Sequence, residues 1–331
     1  MISFKPVHAV IAGVGSYAPE KVMTNHDMEQ IVETSDEWIR TRTGIKERHI
    51  ASDDQASSDL AYKAAQEALK DAEMAPEEIQ LIIVATVTPD MLFPSTACFV
   101  QKKLGAVRAA AFDLSAACTG FVYALGVAAS LIESGQYQNV LVIGAEALSK
   151  FVDWEDRGTC ILFGDGAGAT VLKASDEDKG ILKTHLFSEA EHTDLLYLPG
   201  GGSAFPLTPK TLKERLHFIK MKGNEVFKIA VNTMVDAAQK ILKDAGLNPE
   251  DVACVIPHQA NVRIINAVRK RLLIDEERVY INVDRFGNTS AATIPIALDE
   301  LVKSGKVGSG DLILMVAFGG GFTSGSLLLK L

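Results

Sequence analysis

The chain has few cysteines, fewer basic than acidic residues and no long apolar run. Its four cysteines among 331 residues show neither CxxC nor Cys/His ligand spacing, which argues against a disulfide framework and a zinc site. The formal net charge of -9 argues against general nucleic-acid binding, which needs basic surface clusters. Apolar runs such as LIIVATV have the length of a strand, and the first residues carry no signal-peptide pattern. We expect a cytoplasmic protein with neither membrane nor nucleic-acid partners.

An internal repeat organises the sequence. A composition of 47% hydrophobic and 23% charged residues is typical of a soluble globular protein, and the length allows two domains. Residues 65–83 align without gaps with residues 238–256, and nine of the nineteen positions are identical. Each copy predicts the end of an amphipathic helix, a Pro-Glu turn and a short buried strand.

The two halves continue in the same order after the repeat. Each has a further helix, a strand and an elbow of small residues, SAACTG at 115–120 and GNTSAA at 287–292. Each elbow opens a helix that should end at a glycine, Gly135 or Gly305, because glycine suits a left-handed C-terminal cap. Alternating strands and helices predict an α/β fold with parallel strands covered on both faces.

We therefore expect two duplicated halves, residues 1–175 and 176–331. The helix after the first elbow carries apolar residues all round, so it should lie buried between the two sheets. The irregular tract 189–221, rich in Gly, Pro and Lys, has no counterpart at the same place in the first half. We interpret it as an insertion near the functional site.

Cys118, in the first elbow, has two possible roles. Free cysteine often fills a core as a small hydrophobic residue. A helix N-terminus, however, lowers the pKa of a cysteine, and the thiolate is the nucleophilic form. The position in the elbow therefore favours a nucleophile.

The second half offers partners for a nucleophile. His258 follows an apolar strand, and Asn288 lies in the second elbow, which the repeat should bring opposite the first. An imidazole and a side-chain amide are the groups that stabilise charge developing on oxygen. Taken singly, His258 could be a structural histidine and Asn288 a turn or cap residue.

The motifs together resemble a known family. The chain resembles the condensing enzymes of the thiolase fold, and most closely the β-ketoacyl-acyl carrier protein synthases III. The resemblance runs nearly from end to end, through TSDEWIRTRTGI at 34–45, FPSTAC at 93–98, SAACTGF at 115–121, DRGT at 156–159, LFGDGAGA at 162–169, GNEVFK at 223–228, PHQAN at 257–261, GNTSAA at 287–292 and AFGGGFTSG at 317–325. It implies a duplicated fold in five layers, αβαβα, with two mixed sheets and buried central helices.

The resemblance also implies a reaction, the decarboxylative condensation of a short acyl-coenzyme A with malonyl-acyl carrier protein that starts fatty-acid synthesis. Cys118 would accept the acyl group, and His258 and Asn288 would stabilise the enolate formed when the malonyl thioester loses carbon dioxide. The backbone amides of Cys118 and Gly320 would form the oxyanion hole. Neither a metal nor a cofactor is implied, since acyl-coenzyme A is a substrate.

Further residues take their roles from the same resemblance. Coenzyme A would bind along Trp38, Arg42, Arg157 and Gly223, with its adenine between Trp38 and Arg157. A homodimer is implied, in which Phe93 reaches the acyl pocket of the neighbouring subunit. The basic side chains of one predicted helix are the candidates for docking the acidic carrier protein, namely Arg263, Arg269, Lys270 and Arg271.

The sequence departs from the family pattern in three places. Ser324 stands where many members have tryptophan, Thr119 replaces a frequent alanine, and the tract 189–221 is long. These departures leave the shape of the acyl pocket undetermined. The acyl group that the enzyme prefers as its first substrate is undetermined for the same reason.

Three other functions share some of these features. A polyketide or quinolone synthase that uses only coenzyme A thioesters would carry the same Cys, His and Asn. A degradative thiolase would need a second cysteine near the C-terminal glycines, where this chain has none. A catalytically silent acyl-binding scaffold would not need the three residues intact.

Overall fold

The computed structural model describes residues 7–331, which form thirteen strands and eleven α-helices joined in places by short 3-10 turns. The strands are β1 His8–Tyr17, β2 Lys21–Thr24, β3 Glu47–Ile50, β4 Leu81–Ala85, β5 Ala110–Leu114, β6 Asn139–Ala147, β7 Asp165–Ser175, β8 Gly180–Ser188, β9 Leu196–Tyr197, β10 Lys220–Met221, β11 Cys254–Pro257, β12 Leu312–Gly319 and β13 Thr323–Lys330. The helices are α1 Asn25–Met28, α2 Asp36–Thr43, α3 Ser57–Asp71, α4 Thr96–Leu104, α5 Gly120–Glu133, α6 Arg157–Cys160, α7 Pro209–Lys213, α8 Gly223–Ala245, α9 Val262–Leu272, α10 Val283–Phe286 and α11 Thr293–Lys303.

Two mixed sheets form the framework. The first has the order β1-β7-β6-β4-β5, and the second has the order β11-β12-β13-β8. Strands β6, β4 and β5 run parallel to one another, as do β11 and β12. The ladders β1-β7, β7-β6, β12-β13 and β13-β8 are antiparallel, so the parallel pairing expected from the alternation of strands and helices holds for only part of each sheet. The mixed sheets implied by the family resemblance are confirmed.

The helices complete five layers. Helix α3 packs on the outer face of the first sheet and α8 on the outer face of the second, while α5 and α11 lie between the sheets and contact both. The apolar core between the sheets combines α5 and α11 with strand residues from both halves. The predicted burial of the first elbow helix is confirmed, since Phe121 and Leu125 are almost fully buried.

The predicted repeat corresponds to repeated structure. Each copy contains a helix end, a 3-10 turn at Pro76–Glu78 or Pro249–Asp251, and then the strand β4 or β11. The elbow helices end just before glycines with left-handed backbone angles, φ 76° at Gly135 and 68° at Gly305. A hydrogen bond from the Tyr280 N–H to the Val255 carbonyl extends the second sheet at the position that β5 occupies in the first. The first sheet is built from residues 8–175 and the second from residues 180–330, and the division into two domains at residue 175 stays a prediction.

The tract 189–221 folds back over the molecule. It contains α7 and the short ribbon formed by β9 and β10. The guanidinium of Arg215 forms an ion pair with Asp153, which fixes the tract to the segment after β6. Among the helices of residues 7–331, none is long and apolar enough to span a membrane.

Candidate active site

Two strained elbows meet at the centre of the molecule. Ala117 opens the 3-10 turn before α5 with φ 47°, and Ser290 opens the 3-10 turn before α11 with φ 48°. A left-handed conformation in a residue with a side chain costs about 1–3 kcal/mol and is found most often at functional sites. The same strain therefore recurs at the same place in both halves.

Cys118 follows the strained Ala117 and is only 8% exposed. Burial raises the pKa of its thiol to about 12, and the charge of Glu146 adds to the rise, whereas Ser290 opposes it. This direction is opposite to the lowered pKa that we expected from a helix N-terminus, because the loss of water around the sulfur outweighs any gain from the helix. Cys118 is therefore held as a neutral thiol.

Glu146 was missed by the sequence analysis. It is fully buried on β6, where its carboxylate accepts hydrogen bonds of 2.6 to 3.3 Å from Thr86, Val87 and Thr88. Burial raises the pKa of Glu146 to about 7, although these hydrogen bonds oppose the shift. One acidic residue inside the apolar run VLVIGAEAL was the sequence signal that could have revealed it.

Ser290 lies between these two groups. Its hydroxyl is buried without a hydrogen bond of ordinary geometry, yet it is close enough to Cys118 and to Glu146 to lower the pKa of both. No local sequence pattern identifies a hydroxyl that the fold buries beside a candidate nucleophile.

His258 follows β11 and is 2% exposed. Its backbone N–H donates to the Val316 carbonyl at 2.8 Å, and its ring Nδ1 lies 2.8 Å from Oγ1 of Thr293. Burial lowers the pKa of His258 to about 3, so the imidazole is neutral at any physiological pH. Such a ring can donate a hydrogen bond without being an acid.

Hydrogen bonds of its backbone hold Asn288 in place at the second elbow. Its backbone N–H donates to the Leu162 carbonyl at 2.8 Å, and its carbonyl accepts from the Gly164 N–H at 3.1 Å. The side-chain Oδ1 accepts from the Ser290 N–H at 2.8 Å. Because the oxygen is engaged in this way, the amide nitrogen remains as a hydrogen-bond donor.

The glycine turn after β12 approaches the first elbow closely. A Cβ at Gly319 would lie 2.7 Å from the Cys118 nitrogen, and one at Gly320 would lie 2.7 Å from the Leu196 carbonyl oxygen. The hydroxyl of Thr323 lies 2.9 Å from the Ala116 carbonyl oxygen. The backbone of the turn is thereby fixed against the elbow that carries Cys118.

Two cavities meet at Cys118. The first, about 760 Å³, contains both partners of the nucleophile and three of the four predicted coenzyme residues, and its lining includes Trp38, Arg42, Cys118, Gly223, His258 and Asn288. Arg157, the fourth, places its guanidinium carbon 4.7 Å from the Trp38 ring centroid, and that of Arg42 is also 4.7 Å from it. Trp38 and Arg157 are therefore already in cation–π contact beside this cavity.

The second cavity, about 390 Å³, is lined largely by apolar side chains. Cys118, Phe163 and Leu196 line both cavities and so form the passage between them. Gly320 and Ser290 also line the second cavity. The tract 189–221 contributes Leu196, Tyr197, Leu198 and Ile219 to its wall, so the interpretation of this tract as lying near the site is confirmed.

Several predicted site residues lie away from this centre. Phe93 is 84% exposed and lines neither cavity of its own chain. Among the docking candidates, Lys270 and Arg271 are exposed, and Arg263 is exposed where it lines the first cavity. The side chain of Arg269 is only 18% exposed and pairs with Glu276 at 2.5 Å, which makes it the least available of the four.

Thr119 and Ser324, the two single residues that depart from the family pattern, do not line the cavities. Thr119 is buried, and its hydroxyl donates to the Thr323 carbonyl at 3.2 Å, while Ser324 is buried on β13. Any effect of Thr119 or Ser324 on the acyl pocket is therefore indirect. Residues 7–331 also contain no group of three or more His, Cys, Asp or Glu side chains arranged to hold a metal ion.

Comparison with known proteins identifies relatives along the whole chain. The family model "3-Oxoacyl-[acyl-carrier-protein (ACP)] synthase III" matches residues 112–190, and the model of the C-terminal part of these proteins matches residues 242–331. A beta-ketoacyl-[acyl-carrier-protein] synthase III from Caldanaerobacter subterraneus subsp. tengcongensis is 55% identical over 324 residues, which are 98% of each chain.

Solved structures agree with this result. The crystal structure of 3-oxoacyl-[acyl-carrier-protein] synthase III from Aquifex aeolicus has a TM-score of 0.91 and 53% identity, and the match covers 98% of this chain and 100% of that one. The priming β-ketosynthase of the R1128 polyketide pathway has a TM-score of 0.92 over 100% of this chain and 98% of its own, at 35% identity. The synthase III from Aquifex aeolicus is thus more similar to this chain in sequence than the polyketide-pathway enzyme is.

The Glu146→Gln variant should alkylate faster at Cys118 than the original protein at neutral and higher pH. Removing the carboxylate charge removes one cause of the raised thiol pKa, and each unit by which a pKa falls gives about tenfold more thiolate. Below the pKa of Glu146, about 7, the carboxyl is protonated in the original protein, and the two rates should converge. The measurement is the rate of iodoacetamide labelling of Cys118 against pH, followed by peptide mass spectrometry.

Glu133→Gln is the matched control, because Glu133 lies at the far end of α5 and should leave the labelling rate unchanged. Slower labelling of Glu146→Gln at neutral pH would contradict the expectation and would make the carboxylate a base for the thiol.

Proposed function

This chain belongs to the β-ketoacyl-[acyl-carrier-protein] synthase III family, and we propose that Cys118, His258 and Asn288 divide its reaction between them. The enzyme is an acyltransferase that condenses a short acyl-coenzyme A with malonyl-acyl carrier protein, with loss of carbon dioxide, and so initiates fatty-acid biosynthesis. The observation that carries the division of roles is the meeting of the three side chains in one cavity, with Cys118 at the passage to a second.

In the first step, the sulfur of Cys118 attacks the carbonyl carbon of the acyl-coenzyme A. The N–H groups of Cys118 and Gly320 donate to the oxygen that becomes negative in the tetrahedral intermediate. The carbon–sulfur bond to coenzyme A then breaks, and coenzyme A leaves as a thiol with the proton that Cys118 has lost. Since the resting thiol has a pKa of about 12, this proton is removed as the attack proceeds and not beforehand.

The acyl group remains as a thioester on Cys118. A thioester is close in energy to the one that was broken, so the group can be passed on again, whereas a serine would form a more stable ester. The second cavity, with its apolar wall, supports a role as the chamber for the acyl chain.

In the second step, the malonyl thioester loses carbon dioxide and becomes an enolate. The amide nitrogen of Asn288 and a ring nitrogen of His258 donate to the enolate oxygen. A neutral imidazole suits this role, because an imidazolium would protonate the carbanion carbon. The carbanion then attacks the acyl carbon on Cys118, and the Cys118 sulfur leaves as a thiolate that takes up one proton from water.

Coenzyme A and carrier protein would approach through the first cavity. The contact between Trp38 and Arg157 supports an adenine site at these two side chains, which would have to separate to admit the base between them. Arg42 and Gly223 line the first cavity. The exposed charges of Arg263, Lys270 and Arg271 support docking of an acidic carrier protein, with Arg269 in a smaller role. The expectation that no metal or cofactor takes part, and that the protein is cytoplasmic, stays a prediction.

A homodimer is also part of the proposal. Strand β5 lies at the edge of the first sheet, and its Phe112 is 38% exposed. Nearby in sequence, Leu92, Phe93 and Val107 are 76 to 84% exposed. An open sheet edge with large exposed apolar side chains is normally covered, and a second copy of the chain would cover it. Phe93 could then reach the neighbour's acyl chamber.

The His258→Ala and Asn288→Ala variants should separate the two steps. Each removes a donor to the enolate, and the loss of one positioned donor typically lowers the rate by about a hundred- to a thousandfold. Acylation of Cys118 does not use these donors and should continue, so acyl-enzyme should accumulate. Rapid-quench measurement of acyl-Cys118 and of released carbon dioxide in the same reaction gives both rates.

Cys118→Ser serves as the opposite control, because it should lose acyl transfer almost completely. An equal fall of both rates in His258→Ala and Asn288→Ala would contradict the division of roles and would assign these residues to activation of the thiol.

The original protein should sediment as a dimer at micromolar concentration, and Phe93→Glu should shift it towards the monomer, because a charge is costly in an apolar interface. Leu273→Glu is the matched control, since Leu273 is also 84% exposed but follows α9, away from β5. Sedimentation velocity distinguishes the two masses. A monomeric original protein, or equal disruption by Leu273→Glu, would contradict the proposed interface.

A further inference from the structure

Thr293 connects the second elbow to the ring of His258. It is the first residue of α11 and is 2% exposed. Its Oγ1 lies 2.8 Å from Nδ1 of His258 and 2.9 Å from the carbonyl oxygen of Ser290. No other hydrogen bond to the His258 ring occurs among residues 7–331, so Thr293 is the protein group that acts on the ring proton.

A hydroxyl has one proton, and this fixes what the two contacts can be. If the ring carries its proton on Nδ1, then Nδ1 donates to Oγ1, and Oγ1 donates to the Ser290 carbonyl. If the ring carries its proton on Nε2, then Oγ1 donates to Nδ1 instead. Conversion of one pattern into the other needs a rotation of the hydroxyl together with transfer of the ring proton between the two nitrogens, but no movement of a heavy atom.

The Ser290 carbonyl does not require the hydroxyl. It already accepts the backbone N–H of Thr293 in the 3-10 turn. Nδ1, in contrast, is buried and would be an unsatisfied acceptor if the Thr293 hydroxyl pointed elsewhere while the proton was on Nε2. Both patterns leave these groups with partners, and only the one in which Oγ1 donates to Nδ1 puts an N–H on Nε2.

We propose that Thr293 is a positioning residue whose hydroxyl donates to Nδ1 of His258 and so keeps the ring proton on Nε2. His258 then presents an N–H to the first cavity, where the amide nitrogen of Asn288 is the second donor. This inference rests on the proposed function, in which both side chains donate to one enolate oxygen. A proton on Nδ1 would instead present a lone pair to that oxygen and repel it.

Thr293→Val keeps the shape of the side chain but lacks the hydroxyl, whereas Thr293→Ser keeps the hydroxyl. A net hydrogen bond of ordinary strength corresponds to about a three- to tenfold shift in an equilibrium, so Thr293→Val should lower malonyl decarboxylation by about that factor. Acylation of Cys118 should stay near its original rate in both variants. Thr293→Ser should restore decarboxylation.

The tautomer itself is measured by ¹⁵N NMR of protein labelled in its histidines, with His258→Ala used to assign the signals. The expected result is a protonated Nε2 in the original protein and in Thr293→Ser, and a mixture of tautomers in Thr293→Val. Thermal unfolding of each variant checks that the fold is retained, and a Thr293→Val protein that is fully folded must still show the altered tautomer.

Two results would overturn the inference. One is a ring proton on Nδ1 in the original protein, and the other is an unchanged tautomer and decarboxylation rate in Thr293→Val. An unchanged tautomer and rate would leave the proposed function standing if His258→Ala still stopped decarboxylation while Cys118 was acylated. A ring proton on Nδ1 would leave the condensation standing but would remove His258 as a donor to the enolate. If His258→Ala decarboxylated normally, the proposed function would fail, whatever the Thr293 variants showed.

Discussion

The site depends on two places where the backbone of one half touches the elbow of the other. A Cβ at Gly144, on the first sheet, would lie 2.3 Å from the Ala291 carbonyl oxygen in the second elbow. A Cβ at Gly319, on the second sheet, would lie 2.7 Å from the Cys118 nitrogen in the first elbow. Because both positions are glycines, each elbow can pack closely against the opposite sheet. As a result Cys118 and Asn288, which are 170 positions apart in sequence, line one cavity.

Burial at this junction determines the protonation of the reacting groups. It raises the pKa of Cys118 and of Glu146 and lowers that of His258, so every shift favours the neutral form. The reaction is suited to such a site, since its charges are transient and lie on the substrate oxygen. Donors that are neutral and already oriented stabilise these charges without reorganisation.

The sequence predicted those parts of the molecule that are set by local pattern. The repeat, the buried elbow helix and the glycine caps at Gly135 and Gly305 follow from periodicity and backbone freedom, and the motifs indicated Cys118, His258 and Asn288 before any geometry was known. The antiparallel strands were not predicted from the alternation of elements, because β12 and β13 are joined by a tight glycine turn that forces them to run in opposite directions.

The groups that were missed act through tertiary contacts. Ser290 and Thr293 lie in a run of small residues that serves equally well for packing, and only the fold brings them to Cys118 and His258.

The central claim is that Cys118 is the residue that accepts the acyl group. Mass spectrometry after exposure of the intact protein to acyl-coenzyme A tests this claim most directly. The account predicts one acyl adduct, mapped to the peptide that contains Cys118, and an adduct on Cys98, Cys160 or Cys254 instead would contradict it.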